Sequence, residues 1–129
     1  MASRDLFSEI APRPSVAAQS VTATLTGTAV DTITYESATG VINAGAGLTT
    51  ENKLTVSLVE GDVSGTLTDV AAEDYITGGP FDITAAGVYK IGYRGVKRYV
   101  AIKLTVAGTV NTPVSGSIIL GHPRVGATE

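Results

Sequence analysis

The single histidine, His122, is the first side chain to consider for chemistry. A lone histidine excludes a metal site built on two histidines and leaves a Ser/His/Asp triad with one candidate base. His122 follows the apolar run Val114–Leu120 and precedes Pro123, and no nucleophile motif lies nearby. We therefore interpret it as a residue of a strand end or a contact surface, and we expect no catalytic site.

Acidic side chains are concentrated in the stretch EGDVSGTLTDVAAED, residues 60–74. Their carboxylates are the hard oxygen ligands that Ca²⁺ prefers, but their spacing matches no calcium loop. Asp and Gly are also ordinary turn residues, so we interpret the stretch as a solvated loop, with a bound cation as the alternative. Gly45 and Gly47 precede no Lys-Ser or Lys-Thr pair, which argues against a phosphate loop. We expect no metal and no cofactor.

Positive charge is concentrated between positions 90 and 98. The cluster consists of Lys90, Arg94, Lys97 and Arg98, flanked by Tyr89, Tyr93 and Tyr99. Aromatic residues beside arginine are common in interface hot spots. Charged residues at a hairpin end and tyrosines packed across strands are the alternative interpretation. We take Arg94, Lys97, Arg98 and Tyr99 as candidate partner-binding residues.

Composition and charge narrow the classes of function. The chain has 129 residues, 43% of them hydrophobic and 16% charged, which fits one domain with one core. It contains no cysteine, which excludes disulfides and thiolate chemistry. A net charge of −3 gives no basic field for nucleic acid, and no apolar run approaches the ~20 residues of a membrane span. Because the N-terminus lacks the apolar core of a signal peptide, we expect a soluble protein made in the cytoplasm, with no nucleic acid or membrane partner.

The clearest strand pattern runs from Val96 to Val106, where a period of two indicates one buried and one solvent-facing side. The predicted buried side holds Val96, Val100, Ile102, Leu104 and Val106, with Val100, Ile102 and Leu104 in the core. The predicted exposed side holds Lys97, Tyr99, Ala101, Lys103 and Thr105. Residues 89–93 alternate in the same way, and Arg94-Gly95 supplies a tight connection. These two runs are therefore predicted to form a hairpin.

Other short β-prone runs are separated by Gly, Asn, Asp and Pro. They are residues 54–58 and 114–120, and, with weaker patterns, 21–25, 29–35, 39–44 and 81–84. About eight short strands without an ordinary helix are typical of an all-β domain. We predict an antiparallel two-sheet sandwich, jelly-roll-like, over residues 21–129, with residues 43–52 and 60–74 as its longest loops.

The first 20 residues differ from the rest and are predicted to form an extended N-terminal arm. Pro12 and Pro14 favour an extended path. Leu6, Phe7 and Ile10 are spaced as one face of a short helical turn. Because three large apolar side chains would be poorly placed in water, we expect them to dock on a neighbouring subunit or another surface, as partner-binding residues.

Three segments are distinctive enough to compare with known families, namely YESATGVINAGAG, VYKIGYRGVKRYVAIKLTVAGT and LGHPR. Over most of residues 35–124 the chain resembles small proteins encoded among the head genes of tailed bacteriophages. It implies a virion structural protein, namely a decoration (cement) protein that binds the outer capsid surface and stabilises the seams between capsomers. The implied partner is the major capsid protein, and the implied oligomer is a trimer, with monomer and dimer left open. No catalytic residue is carried over by this resemblance.

Two other classes of protein fit a small, acidic, β-rich chain. A head-to-tail connector or tail component would be similar in size and would form rings in electron micrographs. A carbohydrate-binding jelly-roll module is the third class, because such modules bind sugars with exposed aromatic residues and loop carboxylates. The chain has no Trp and two Phe, which ranks this class last.

Overall fold

The computed structural model describes residues 10–33, 35–76 and 79–123, and its regular structure is nearly all β-strand. The strands are β1 (Ile10–Val21), β2 (Leu25–Thr26), β3 (Val30–Asp31), β4 (Tyr35–Ala44), β5 (Lys53–Val63), β6 (Thr66–Asp69), β7 (Phe81–Ile83), β8 (Gly87–Tyr93), β9 (Tyr99–Ala107) and β10 (Thr112–Pro123). In these ranges the one helical segment is a 3-10 turn at Ala72–Asp74. The predicted all-β class is confirmed.

The strands form two antiparallel sheets. Sheet A has the order β1-β10-β4-β8, and sheet B has β9 and β5 at its centre. The short strands β2 and β3 pair with different parts of β9, and β6 and β7 pair with different parts of β5. When β2 and β3 are counted as one interrupted strand, and β6 and β7 as another, the chain has eight strands among the described residues. Renumbered from 1 to 8 along the chain, their order is 1-8-3-6 in sheet A and 2-7-4-5 in sheet B, which is jelly-roll connectivity. The predicted two-sheet sandwich is therefore confirmed.

The core lies between the inner faces of the two sheets. Its fully buried side chains include Ile42, Ile91, Ile118 and Leu120 from sheet A and Leu54, Leu58, Ile102 and Leu104 from sheet B. Successive side chains of a strand point to opposite faces, so the period of two in the sequence becomes one buried face. The predicted burial of Val100, Ile102 and Leu104 is confirmed.

One residue of β9 departs from the predicted pattern. Ala101 was expected to face solvent, but it is fully buried and lies opposite Val59, which is also buried. Because β9 is a central strand, the short alanine side chain is covered by the longer side chains around it.

The predicted hairpin between residues 89–93 and 96–106 is wrong. Strand β8 is the edge of sheet A and pairs with β4, whereas β9 pairs with β5 in the middle of sheet B. The connection Arg94–Arg98, which we name the crossover, therefore passes from one sheet to the other. Alternation shows which side of a strand is buried, but it does not show which sheet the strand joins.

The prediction that residues 10–20 form an arm outside the sandwich is also wrong. Strand β1 pairs with β10 along the edge of sheet A, and its Ala11 and Val16 are buried. Pro12 and Pro14 are compatible with this strand because an edge position tolerates a residue without a backbone N–H. The sandwich therefore includes residues 10–20.

Two further predictions, one of a strand and one of a loop, need correction as well. Residues 21–25 are not a strand, since β1 ends at Val21 and β2 begins at Leu25. The stretch 60–74 is not one loop, because β5 continues to Val63 and returns as β6. The turn at residues 64–65 brings Thr66 opposite Val63, so turn residues here connect two strands.

Candidate partner-binding cleft

A cleft of about 480 Å³ opens at one end of the sandwich. It lies where β4 begins, where β8 ends and where the crossover leads into β9. Its walls are the crossover, Asp62 near the end of β5, and residues 32–33 and 35–38, which include Ile33 and Glu36. The cleft is therefore formed by segments of both sheets.

The side chain of Tyr93 holds the crossover in position through two hydrogen bonds. Its hydroxyl donates a hydrogen bond to Oε1 of Glu60 at 2.5 Å and accepts one from the backbone N–H of Lys97 at 3.1 Å. Burial, followed by the hydrogen bond to Glu60, raises the pKa of Tyr93 well above its usual range, so the hydroxyl keeps its proton. A Cβ on Gly95 would lie 2.5 Å from this hydroxyl, so the close passage of the crossover requires glycine.

Two ion pairs attach the crossover to sheet B. Arg98 binds Asp31 of β3 through two hydrogen bonds, Nε to Oδ1 at 3.0 Å and Nη2 to Oδ2 at 2.7 Å. The Arg98 guanidinium also lies 5.1 Å from the ring centroid of Tyr99. Lys97 Nζ lies 3.2 Å from Oδ2 of Asp62. The hydrogen bonds from Arg98 hold the pKa of Asp31 below its usual value, so this pair is ionised at neutral pH.

The rim of the cleft exposes apolar and charged groups. Val96 is 95% exposed in the crossover, and Ile33 is 51% exposed on the facing wall. In the part of the chain that the structure describes, the side chains of Arg94 and Glu36 have no ion-pair partner. Exposed large apolar residues beside available charges are features of a protein-binding surface.

The structure brings together four of the candidate residues. Arg94, Lys97 and Arg98 lie in the crossover, and Tyr99 follows as the first residue of β9. Lys90, in contrast, is exposed in the middle of β8, where it lies opposite Val41 of the neighbouring strand. The basic cluster of the sequence is therefore divided, and its C-terminal part forms the cleft wall.

The three candidate anchors of the arm have different outcomes. Ile10 is half-buried as the first residue of β1, where it lies opposite Gly121. Leu6 and Phe7 lie outside the described residues. Ile10 is thus part of the sandwich, and the docking of the other two is still a prediction.

Several cleft residues were missed by sequence reasoning. Val96 was assigned to the buried side of a strand, and its position directly after Gly95 is the local signal that it belongs to a turn. Asp31 and Asp62 have no such signal, because they are 67 and 35 residues from their partners Arg98 and Lys97. Only the pairing of β3 and β5 with β9 brings them to the crossover.

The acidic residues of the stretch 60–74 do not gather into a metal site. Glu60 binds Tyr93, Asp62 binds Lys97, and Asp69 lies 3.7 Å from Lys103. Across the described ranges, no group of three His, Cys, Asp or Glu side chains is arranged to hold a metal ion. The side chain of His122 lies outside the described part of the structure. Within that part, no helix has the length and apolarity needed to cross a membrane.

Comparison with known proteins finds a structural similarity to a viral protein. No protein family matches the chain, and neither does any curated protein. Among solved structures, the chain is similar to a chain in the structure of infectious bursal disease virus, Gx strain, with a TM-score of 0.51 and 14% sequence identity. The match covers 92% of this chain and 34% of the viral chain, so this chain spans about a third of the length of its match. At this identity the similarity shows a shared β fold.

Proposed function

We propose that the protein is a structural component of a virus particle, with no catalytic role of its own. The observation that carries the proposal is the structural similarity of this jelly-roll chain, over 92% of its length, to part of a chain in a virus structure. Double-sheet jelly rolls recur in viral capsids. The sequence resemblance to phage head proteins supports the finer assignment, a decoration protein on the outer capsid surface of a tailed bacteriophage.

The proposed mechanism is burial of surface across the seams of the shell. Apolar surface removed from water contributes about 25 cal/mol per Å², and Val96 and Ile33 offer such surface at the cleft rim. Tyr93 and the two ion pairs hold the crossover in place, so its residues lose little conformational freedom on binding. Each copy that bridges a seam on the major capsid protein, most simply as part of a trimer, adds to the barrier against rupture.

The experiment is to add the protein to shells of the encoding virus assembled without it. We expect the wild-type protein to coat the outside of the shell and to raise the temperature of genome release. Val96→Asp places a carboxylate at the cleft rim and should weaken coating about tenfold or more, which corresponds to about 1.4 kcal/mol. Val88→Asp, at a 68% exposed position of β8, is the matched control and should coat normally.

Two results would contradict the proposal. Wild-type protein that leaves the shell bare, or that labels only the tail or its connector, would exclude the decoration role. Normal coating by Val96→Asp together with a loss of coating by Val88→Asp would show that the shell contacts sheet A and not the cleft.

A further inference from the structure

We infer that the cleft receives residues 1–9 of a neighbouring copy of this chain, the segment MASRDLFSE. This inference rests on the proposed function, in which Val96 and Ile33 at the cleft rim are buried in the assembled coat. In this arrangement each copy places its residues 1–9 in the cleft of one neighbour and receives residues 1–9 of another in its own cleft. Head-to-tail contacts of this kind close into rings such as trimers.

The position of Ile10 places the start of this segment at the cleft end of the molecule. Ile10 lies opposite Gly121 of β10, and Gly121 lies opposite Ser37 of β4, which lines the cleft. Nine residues in extended conformation reach up to about 30 Å. The segment is therefore long enough to enter the cleft of an adjacent copy.

The chemistry of the segment complements the cleft. Leu6 and Phe7 supply apolar surface for the exposed Val96 and Ile33. The segment also carries charges of both signs, two carboxylates and one guanidinium, from Asp5, Glu9 and Arg4. The cleft presents Arg94 and Glu36, whose side chains have no ion-pair partner among the described residues. Docking would thus bury apolar groups in contact and pair charges of opposite sign.

The trimer of the proposed function favours a neighbouring copy over the chain's own cleft, because head-to-tail donation of a segment closes such a ring. Within one molecule, Ile10 and the cleft residue Ser37 are two strand spacings, about 10 Å, apart in sheet A. The chain's own cleft is therefore also within reach of residues 1–9, and cross-linking distinguishes the two arrangements.

Cysteine cross-linking of the full chain tests the inference, because the natural sequence contains no cysteine. Phe7→Cys in one chain and Val96→Cys in another, distinguished by mass tags, are mixed and oxidised in solution and on coated shells. We expect a mixed disulfide between the two chains, about tenfold or more above that formed by Phe7→Cys with Val88→Cys, because docking raises the local concentration of the thiols.

The outcomes separate this inference from the proposed function. A mixed disulfide no more abundant than in the Val88→Cys control, both in solution and on shells, would overturn the inference. So would a Phe7→Cys, Val96→Cys double variant that forms an intramolecular disulfide in preference to an intermolecular one. Wild-type coating of shells is scored independently, so the decoration role would survive either result.

Discussion

The hydroxyl of Tyr93 lies 2.5 Å from Oε1 of Glu60, and this hydrogen bond joins the inner faces of the two sheets. Tyr93 is the last residue of β8 in sheet A, and Glu60 lies in β5 of sheet B. Both side chains are buried, and the same hydroxyl accepts the backbone N–H of Lys97. One side chain therefore holds the two sheets and the crossover in a fixed relation at the cleft.

Tyr93→Phe should lower the free energy of unfolding by about 1–3 kcal/mol. The substitution keeps the ring but leaves the buried Glu60 carboxyl group without its donor and the Lys97 N–H without its acceptor. Urea unfolding measures the change. Tyr35→Phe is the control, because the Tyr35 hydroxyl forms no hydrogen bond with the described residues, and a similar loss in both variants would contradict the role of this bond.

Ser15→Ala should destabilise the sandwich by a comparable amount, about 1–3 kcal/mol. The buried Ser15 hydroxyl donates to the Thr28 carbonyl at 3.0 Å and accepts from the Ile102 N–H at 3.1 Å, so it links β1 to sheet B. Hydrogen exchange of the Ile102 amide should also become faster. Ser20→Ala, at an exposed position of the same strand, should stay within about 0.5 kcal/mol, and equal effects would show that Ser15 has no linking role.

Ile102→Ala should cost about 2–5 kcal/mol, because it opens a cavity at a fully buried site of the central strand β9. Lys103→Ala, one residue along on the opposite face, should change stability by about 0.5 kcal/mol or less. Thermal melts of both variants check the register. Similar losses for the two substitutions would mean that the faces of β9 are assigned incorrectly.

Alternation in the sequence was sufficient to predict the class of fold and the buried side of its clearest strand. Val100, Ile102 and Leu104 are buried as expected, since a period of two determines a face. The same pattern does not identify the partner strand, which is why residues 89–93 and 96–106 were wrongly joined in one hairpin. Pro12 and Pro14 led to the wrong prediction of an arm outside the sandwich, because an edge strand tolerates prolines that a central strand excludes.

The cleft was only partly predictable for a different physical reason. Arg94, Lys97 and Arg98 are neighbours in the sequence, so their cluster was visible before the fold. Asp31 and Asp62 reach them through pairing of strands that are distant along the chain. Local patterns contain no information about such contacts, which depend on the topology of the whole sandwich.

The ionised Asp31 should make the free energy of unfolding decrease at acid pH. Its pKa lies below the usual value of 3.8, first because Arg98 donates hydrogen bonds to its carboxylate. A carboxyl group whose pKa is lower in the folded state stabilises the fold above its unfolded pKa, and this contribution is lost as the pH falls through the lower folded value. Asp31→Asn should therefore reduce the loss of unfolding free energy between about pH 6 and about pH 2, measured by urea unfolding.

Substitution of Arg98 tests whether its side chain causes the low pKa of Asp31, and Lys97 in the same crossover provides the control. Arg98→Gln removes the charged donor of Asp31, so the Asp31 carboxyl resonance in an NMR titration should shift to a midpoint closer to 3.8. Lys97→Gln removes a cation one residue away that pairs with Asp62 instead, and it should leave the Asp31 midpoint nearly in place. Equal shifts in the two variants would mean that the general positive charge of the crossover, rather than the two hydrogen bonds from Arg98, lowers the pKa of Asp31.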